Sequence, residues 1–154
     1  MKKITGECLC GLIKYEITGR PFRVANCHCD DCRKVTGSAF ATNIFYKENE
    51  VNVTSGELKL FEHKSDSGSL MTKRFCPNCG SQIFAENSNR PGVISVKVGS
   101  IDNANFVKPD VNLYTANALN FITIDKSTEN FEKMAPIKQC ILIDNNDSQR
   151  LNIG

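Results

Sequence analysis

The sequence has no apolar run that approaches the roughly 20 residues needed for a membrane-spanning helix. The opening residues MKKITGECLC carry two lysines but no apolar stretch after them, so we expect no secretory signal. Neither sign of charge is in large excess, and a net charge of +2 gives no basic stripe for nucleic acid. We therefore expect a cytoplasmic protein that binds neither membranes nor nucleic acid.

Common enzyme motifs are also missing, namely the G-x-S-x-G elbow, the P-loop and the dinucleotide fingerprint. No internal repeat, low-complexity tract or linker divides the chain, whose 154 residues suffice for one hydrophobic core. We predict a single domain over residues 1–136. The polar, turn-rich end of the chain predicts a short strand and a frayed tail over residues 137–154.

Short segments of alternating apolar and polar residues dominate the chain, and turn residues separate them. These segments are IKYEI at 13–17, VNV at 51–53, LKL at 58–60 and ISVKV at 94–98. The pattern is typical of a mainly β protein with antiparallel sheets. The one helical turn that we predict covers residues 30–36, where Asp30 or Asp31 would cap the backbone N–H groups. Thr36, Gly37 and Ser38 are typical of a helix stop.

Cysteine is the residue type that carries the most information, with eight copies in a chain that shows no export signal. The cytosol keeps thiols reduced, so this number favours metal binding or catalysis over disulfides. Seven cysteines fall into three short clusters, which are Cys8 and Cys10; Cys27, Cys29 and Cys32; and Cys76 and Cys79. The eighth, Cys140, lies in the apolar stretch QCILI and is interpreted as a small buried hydrophobic residue.

The first and third clusters have the form of zinc knuckles, in which two cysteines are followed by a glycine. Gly80 follows Cys79, and its freedom to take a positive φ lets backbone N–H groups point at sulfur. Gly11 follows Cys10 in the same way. Pairing the two knuckles predicts a closed four-cysteine structural zinc site. The alternative is that Cys8 and Cys10 are ordinary strand cysteines.

The central cluster has three thiols and no fourth, which is the number of protein ligands that catalytic zinc sites keep. A zinc ion held by Cys27, Cys29 and Cys32 would leave one position for a thiol substrate and favour its deprotonation. In one alternative, His28 closes the site as a fourth ligand. In another, the cluster is a redox dithiol, although the βαβ context of thioredoxin-like motifs is missing.

Positive side chains follow the central cluster directly. Arg33 and Lys34 would receive carboxylates of a substrate or offset thiolate charge, and His28 would join them as a substrate contact. The alternative interpretation of these three residues is a solvated helix face.

Three stretches together resemble the glutathione-dependent formaldehyde-activating enzyme family, which includes centromere protein V. They are GECLCGLIKYEI, CHCDDCRKVTGSAF and RFCPNCGSQIF, and the resemblance covers roughly residues 5–125. It implies a mainly β fold similar to that of Rab guanine-nucleotide-exchange chaperones, with two zinc ions per chain. The implied structural ligands are Cys8, Cys10, Cys76 and Cys79, and the implied catalytic ligands are Cys27, Cys29 and Cys32.

The resemblance also implies an activity, the reversible addition of glutathione to formaldehyde, which belongs to the carbon–sulfur lyases. The chain departs from many members in having no tryptophan where they carry one after a Pro-Asp pair; here that segment is KPDVNLYTANALNF. Two hypotheses follow. One is a zinc enzyme that acts on an adduct of a thiol and a small aldehyde, and the other is a non-catalytic, zinc-stabilised module that binds a protein.

Overall fold

The computed structural model describes residues 3–136, so the predicted C-terminal strand, the tail and Cys140 lie outside the described residues. One α-helix, α1 (Asp30–Thr36), lies between the third and fourth strands. The strands are β1 (Ile4–Glu7), β2 (Lys14–Ile17), β3 (Arg23–Cys27), β4 (Ala41–Lys47), β5 (Val51–Ser55), β6 (Lys59–Lys64), β7 (Leu70–Phe75), β8 (Gln82–Asn87), β9 (Val93–Lys97), β10 (Val111–Leu113) and β11 (Glu129–Asn130). The prediction of a mainly β protein with one short helix is confirmed.

The strands form two sheets. A small sheet has the order β1-β2-β5, and a large sheet has the order β11-β10-β3-β4-β9-β8-β7-β6. The prediction of antiparallel sheets holds except at one side of the large sheet, where β10 pairs in parallel with both β3 and β11. The chain returns to β3 through the long connection between β9 and β10, which is the kind of crossover that parallel pairing requires.

The central strands of the large sheet, β3, β4, β9 and β8, are buried on both faces, and the two faces differ in chemistry. On one face, Ile44 and Val96 belong to the main hydrophobic core, together with Tyr15 of the small sheet. Successive side chains of a strand point to opposite faces. The alternate residues Asn43 of β4 and Lys97 of β9 are paired in register on the other face, and both are buried. That second face carries the candidate site.

Within residues 3–136, no helix combines the length and the apolar character that crossing a membrane would require.

A glycine contact joins the small sheet to the rest of the core and gives a first prediction. A Cβ atom at Gly6 would lie 2.3 Å from the Tyr15 ring and 2.4 Å from the Ser100 carbonyl oxygen. Because Tyr15 is 1% exposed and cannot move freely, we expect Gly6→Ala to lower the free energy of unfolding by about 2–3 kcal/mol. Chemical denaturation measures this loss. Gly99→Ala is the control, since no atom lies within 4 Å of its Cβ; equal effects would contradict the prediction.

Candidate metal centres and active-site cavity

The four-cysteine cluster consists of Cys8, Cys10, Cys76 and Cys79, whose sulfur atoms all lie within 4.8 Å of one another. The Cys10 sulfur is 3.5 Å from that of Cys8 and 3.7 Å from that of Cys76. A tetrahedral zinc ion with Zn–S bonds of about 2.3 Å separates its sulfur ligands by about 3.8 Å. The spacing of the sulfurs therefore fits a closed tetrahedral site.

Two tight turns place these cysteines, and both end at a glycine as predicted. Gly11 has φ 75° and donates its N–H to the Cys8 carbonyl; Gly80 has φ 76° and donates to the Cys76 carbonyl. The N–H of Ile13 reaches the Cys8 sulfur at 3.3 Å. Positive φ is accessible to glycine without the strain that other residues incur. The predicted conformation of both glycines is thus confirmed.

A hydroxyl group also supports one sulfur of this cluster. The Ser81 hydroxyl lies 3.2 Å from the Cys79 sulfur. Its hydrogen bond lowers the pKa of Cys79 to about 5. Metal ions bind thiolates rather than thiols, so this environment suits a metal ligand.

The three-cysteine cluster consists of Cys27 at the end of β3, Cys29 just before α1 and Cys32 within α1. The Cys29 sulfur accepts a hydrogen bond from the Cys32 N–H at 3.3 Å and so caps the helix. The predicted capping by Asp30 or Asp31 is wrong, because these residues already lie in the first turn. The predicted helix stop is confirmed, since Gly37 takes the left-handed conformation at the C-terminal cap.

The three thiols share protons unequally. Hydrogen bonds from Cys27 and Cys29 hold the pKa of Cys32 far below its ordinary value, and the positive charges of Lys97 and Lys73 add to the effect. Hydrogen bonds with Cys29 and Cys32, together with burial, raise the pKa of Cys27 well above its ordinary value. The cluster therefore favours at least one thiolate at neutral pH. With all three sulfurs within 4.8 Å of one another, its donor set fits a thiophilic cation such as zinc.

No fourth donor completes this cluster among the described residues, where no further His, Cys, Asp or Glu joins the three sulfurs. His28, the alternative fourth ligand, is 1% exposed and turned elsewhere. Its Nε2 atom lies 3.4 Å from Asn112 Oδ1, and its ring packs 5.0 Å from that of Phe40. The three sulfurs thus keep one side free of protein ligands within residues 3–136.

The open side of the three-cysteine cluster faces a cavity of about 450 Å³. All three cysteines line it, and the polar face of the large sheet forms its floor. Helix α1, the turn at 64–67 and the segment at 113–117 surround it. The polar residues of the floor are Asn43, Lys73, Ser95 and Lys97, with Arg90 from the turn after β8. A small molecule in this cavity would meet both the sulfurs and buried positive charge.

Tyr114 lies at the edge of the cavity in a strained conformation. Its φ is 56°, which is uncommon for a residue other than glycine, and its hydroxyl donates to Asp66 Oδ1 at 2.9 Å. Its neighbour Leu113 pairs in register with Cys27. Strain of this kind clusters at functional sites, where the surrounding structure holds it in place. The Tyr114–Asp66 bond connects two elements that border the cavity.

The residues predicted as substrate contacts lie away from this cavity. Neither His28 nor Arg33 nor Lys34 belongs to its lining. Arg33 instead pairs with Asp30 at 2.5 Å, and Lys34 is exposed on α1. A substrate-binding role for these three stays a prediction without a geometric reason in its favour.

The polar floor of the cavity was not anticipated from the sequence. Strand β9 reads VISVK, and its alternation predicts one apolar face and one face that meets solvent. Ser95 and Lys97 are nevertheless 8% and 6% exposed, because a second layer covers that face. The sequence signal for this floor was Lys97, a charged residue that alternates with aliphatic residues in β9. The pattern within one strand does not show which other segment covers its polar face.

Comparison with known proteins agrees with this description. A profile of the glutathione-dependent formaldehyde-activating enzyme family matches residues 3–117. A crystal structure of a Rhodobacter sphaeroides protein is similar with a TM-score of 0.53 and 21% identity, over 66% of this chain and 90% of that one. At this identity the likeness shows a shared fold and nothing further. None of the curated proteins matches the chain.

Fold and site together define a mainly β protein with two cysteine clusters that can hold metal ions, one closed and one open to a cavity. The family match covers three quarters of the sequence and includes all seven clustered cysteines. The chain belongs to the glutathione-dependent formaldehyde-activating enzyme family.

Proposed function

We propose that the protein catalyses the reversible addition of a thiol, glutathione by default, to formaldehyde. The product would be S-hydroxymethylglutathione, and the reverse reaction would make the enzyme a carbon–sulfur lyase. The observation that carries this proposal is the three-cysteine cluster, which borders a cavity and has no fourth protein ligand among the described residues. The family membership supports the choice of glutathione and formaldehyde.

Cys27, Cys29 and Cys32 would hold the catalytic zinc, while Cys8, Cys10, Cys76 and Cys79 would hold the structural one. When bound at the open cluster, zinc would supply a vacant position that accepts a sulfur ligand and favours its deprotonation. In the reaction the thiol sulfur loses its proton and attacks the aldehyde carbon. The electron pair of the C=O bond moves to oxygen, which takes up a proton.

The residues of the chain contribute positioning and electrostatics to this reaction. Lys97 donates to Asn43 Oδ1 at 2.5 Å, which holds its ammonium group at the floor of the cavity. The charges of Lys97 and Lys73 already favour the thiolate at Cys32, and they would favour an incoming thiolate in the same way. Burial of both lysines reduces screening by solvent and strengthens the effect.

We also propose that residues 1–136 form one zinc-binding domain, that its fold is similar to that of Rab guanine-nucleotide-exchange chaperones, and that the protein is cytoplasmic. Seven cysteines are grouped as metal ligands would be, and clustered cysteines that bind metal are typical of a reducing compartment. The competing hypothesis, a non-catalytic module, requires a closed second cluster. The position of His28 gives that closure no support.

Exchange NMR on glutathione and formaldehyde, with and without the zinc-loaded protein, tests the proposed function. We expect exchange at least about tenfold faster than the uncatalysed reaction, which is a small fraction of ordinary enzymatic acceleration. Cobalt substitution gives an independent readout, since a thiol entering the open cluster changes the ligand-field spectrum. Unchanged exchange rates together with an unchanged spectrum would refute a thiol-binding site.

A further inference from the structure

Three buried cations share the cavity with the three-cysteine cluster. Lys73 of β7 is 3% exposed, Lys97 of β9 is 6% exposed, and Arg90, in the turn between β8 and β9, is 9% exposed. They come from separate places in the sequence, and the large sheet brings them together. Long charged side chains are seldom buried to this degree unless they have a partner of opposite charge.

None of these three cations forms an ion pair with a carboxylate of residues 3–136; Lys97 has only the amide oxygen of Asn43. The acidic residues that line the cavity are engaged elsewhere. Their partners are Arg33 for Asp30, His63 for Asp31, Tyr114 for Asp66 and Arg74 for Glu86. Asp31 and Asp66 thus remain negative charges at the edge of the cavity, where both are exposed to solvent. Within the described part of the chain, no carboxylate forms an ion pair with the three buried cations.

The cysteine cluster supplies part of the counter-charge for these cations and leaves a surplus. With a divalent ion bound, three thiolates would carry a net charge of −1, which is less than the charge of the three cations Lys73, Arg90 and Lys97. Burial lowers the pKa of Lys97, so its positive charge is costly at this place. Asp31 and Asp66 are exposed, and solvent screens their charge more than that of a buried group. An anion that enters the cavity would therefore gain from the buried cations.

We infer that the molecule reacting at the three-cysteine cluster carries a carboxylate, which Lys73, Arg90 and Lys97 hold at the floor of the cavity. The fork of N–H donors on Arg90 matches the two oxygens of a carboxylate, and the lysines add point charges. This inference rests on the proposed function and deepens it, because it assigns the residues that bind and select the substrate. The carboxylate belongs either to the thiol or to the aldehyde.

Binding of three small probes to the zinc-loaded protein, followed by calorimetry, tests the inference. The probes are 3-mercaptopropionate, which has a thiol and a carboxylate; 2-mercaptoethanol, which lacks the carboxylate; and propionate, which lacks the thiol. We expect 3-mercaptopropionate to bind at least about tenfold more tightly than 2-mercaptoethanol, as a charge-assisted hydrogen bond would give. Equal affinities for these two thiols would overturn the inference.

Substitutions at the cavity floor assign the effect to named residues. We expect Lys73→Met to remove most of the tenfold preference and Lys73→Arg to retain part of it. Lys59→Met is the matched control, because Lys59 is exposed on the neighbouring strand β6 and lies outside the cavity lining. If Lys73→Met and Arg90→Met both fold and keep the full preference, the cations do not select the substrate.

The propionate probe separates failure of this inference from failure of the proposed function. If propionate binds as tightly as 3-mercaptopropionate, and if Lys73→Met lowers its affinity, the carboxylate site is supported and thiol binding at the cluster is contradicted. Exchange NMR distinguishes the two sources of the carboxylate. If Lys73→Met slows the catalysed reaction of glutathione with formaldehyde, the carboxylate belongs to the thiol. If it slows the catalysed reaction of 2-mercaptoethanol with glyoxylate, the carboxylate belongs to the aldehyde.

Discussion

Replacing Cys76 with serine is expected to unfold the protein. Cys76 is fully buried in the main core and lies 3.7 Å from the Cys10 sulfur, so the substitution removes one of four ligands from the proposed structural site. Structural zinc contributes on the order of 10 kcal/mol to folding, which equals the whole stability of a typical domain. Circular dichroism should show loss of β structure at 25 °C, and metal analysis should show loss of zinc.

Ser81→Ala is the matched control for Cys76→Ser. The Ser81 hydroxyl contacts the Cys79 sulfur without being a ligand, so its removal should cost about 1 kcal/mol and leave the zinc content unchanged. A Cys76→Ser protein that stays folded with two zinc ions would show that the four-cysteine cluster is not a structural metal site.

Replacing Cys32 with serine is expected to abolish turnover and leave a folded protein. Cys32 belongs to the small second cluster on the far face of the large sheet, and the main core and the four-cysteine site do not include it. Loss of one of three ligands should reduce the zinc content from two ions to one. Exchange of formaldehyde with glutathione should then fall to the uncatalysed rate, while circular dichroism stays that of the parent.

Val35→Ala serves as the control for Cys32→Ser. Val35 lies on the same helix, outside the cavity lining, so its truncation removes only packing. We expect a loss of about 1 kcal/mol of stability, two zinc ions and parent-like exchange rates. A Cys32→Ser protein that keeps both zinc ions and normal turnover would contradict an open three-cysteine site, and one that unfolds like Cys76→Ser would favour the non-catalytic module.

The difference between these variants follows from what each cluster holds together. The four-cysteine cluster joins two turns whose cysteines Cys10 and Cys76 are 66 residues apart, beside the contact between the two sheets. The three-cysteine cluster gathers ligands from a six-residue stretch whose strand and helix are held by other contacts. Cross-linking distant segments stabilises a fold more than cross-linking neighbours, because it removes more freedom from the unfolded chain.

The grouping of the cysteines was predictable from the sequence because it depends on local spacing. A glycine directly after Cys10 and Cys79 indicates a tight turn, and three cysteines in six residues are within reach of one ion. The same holds for the strands with alternating residues and for the helix that ends before Gly37. These features are fixed within a few residues and do not depend on how the sheets are arranged.

The capping of α1 and the parallel pairing of β10 could not be predicted in the same way. Aspartate is a common N-cap residue, which favours Asp30 or Asp31. Cys29 is the N-cap instead, because the cysteine cluster fixes where the helix begins. Strand β10 has three residues, too few for a periodic pattern, and its place beside β3 results from a long connection.

The sequence by itself determined which cysteines form each group, the mainly β character and the family, since all three depend on residues that are close together along the chain. Only the tertiary structure decided that the open cluster faces a cavity with Lys73, Arg90 and Lys97 at its floor. An alternating strand pattern indicates that the polar side chains point away from the core. Whether that side meets solvent or a second layer depends on pairing between distant strands, which no local pattern encodes.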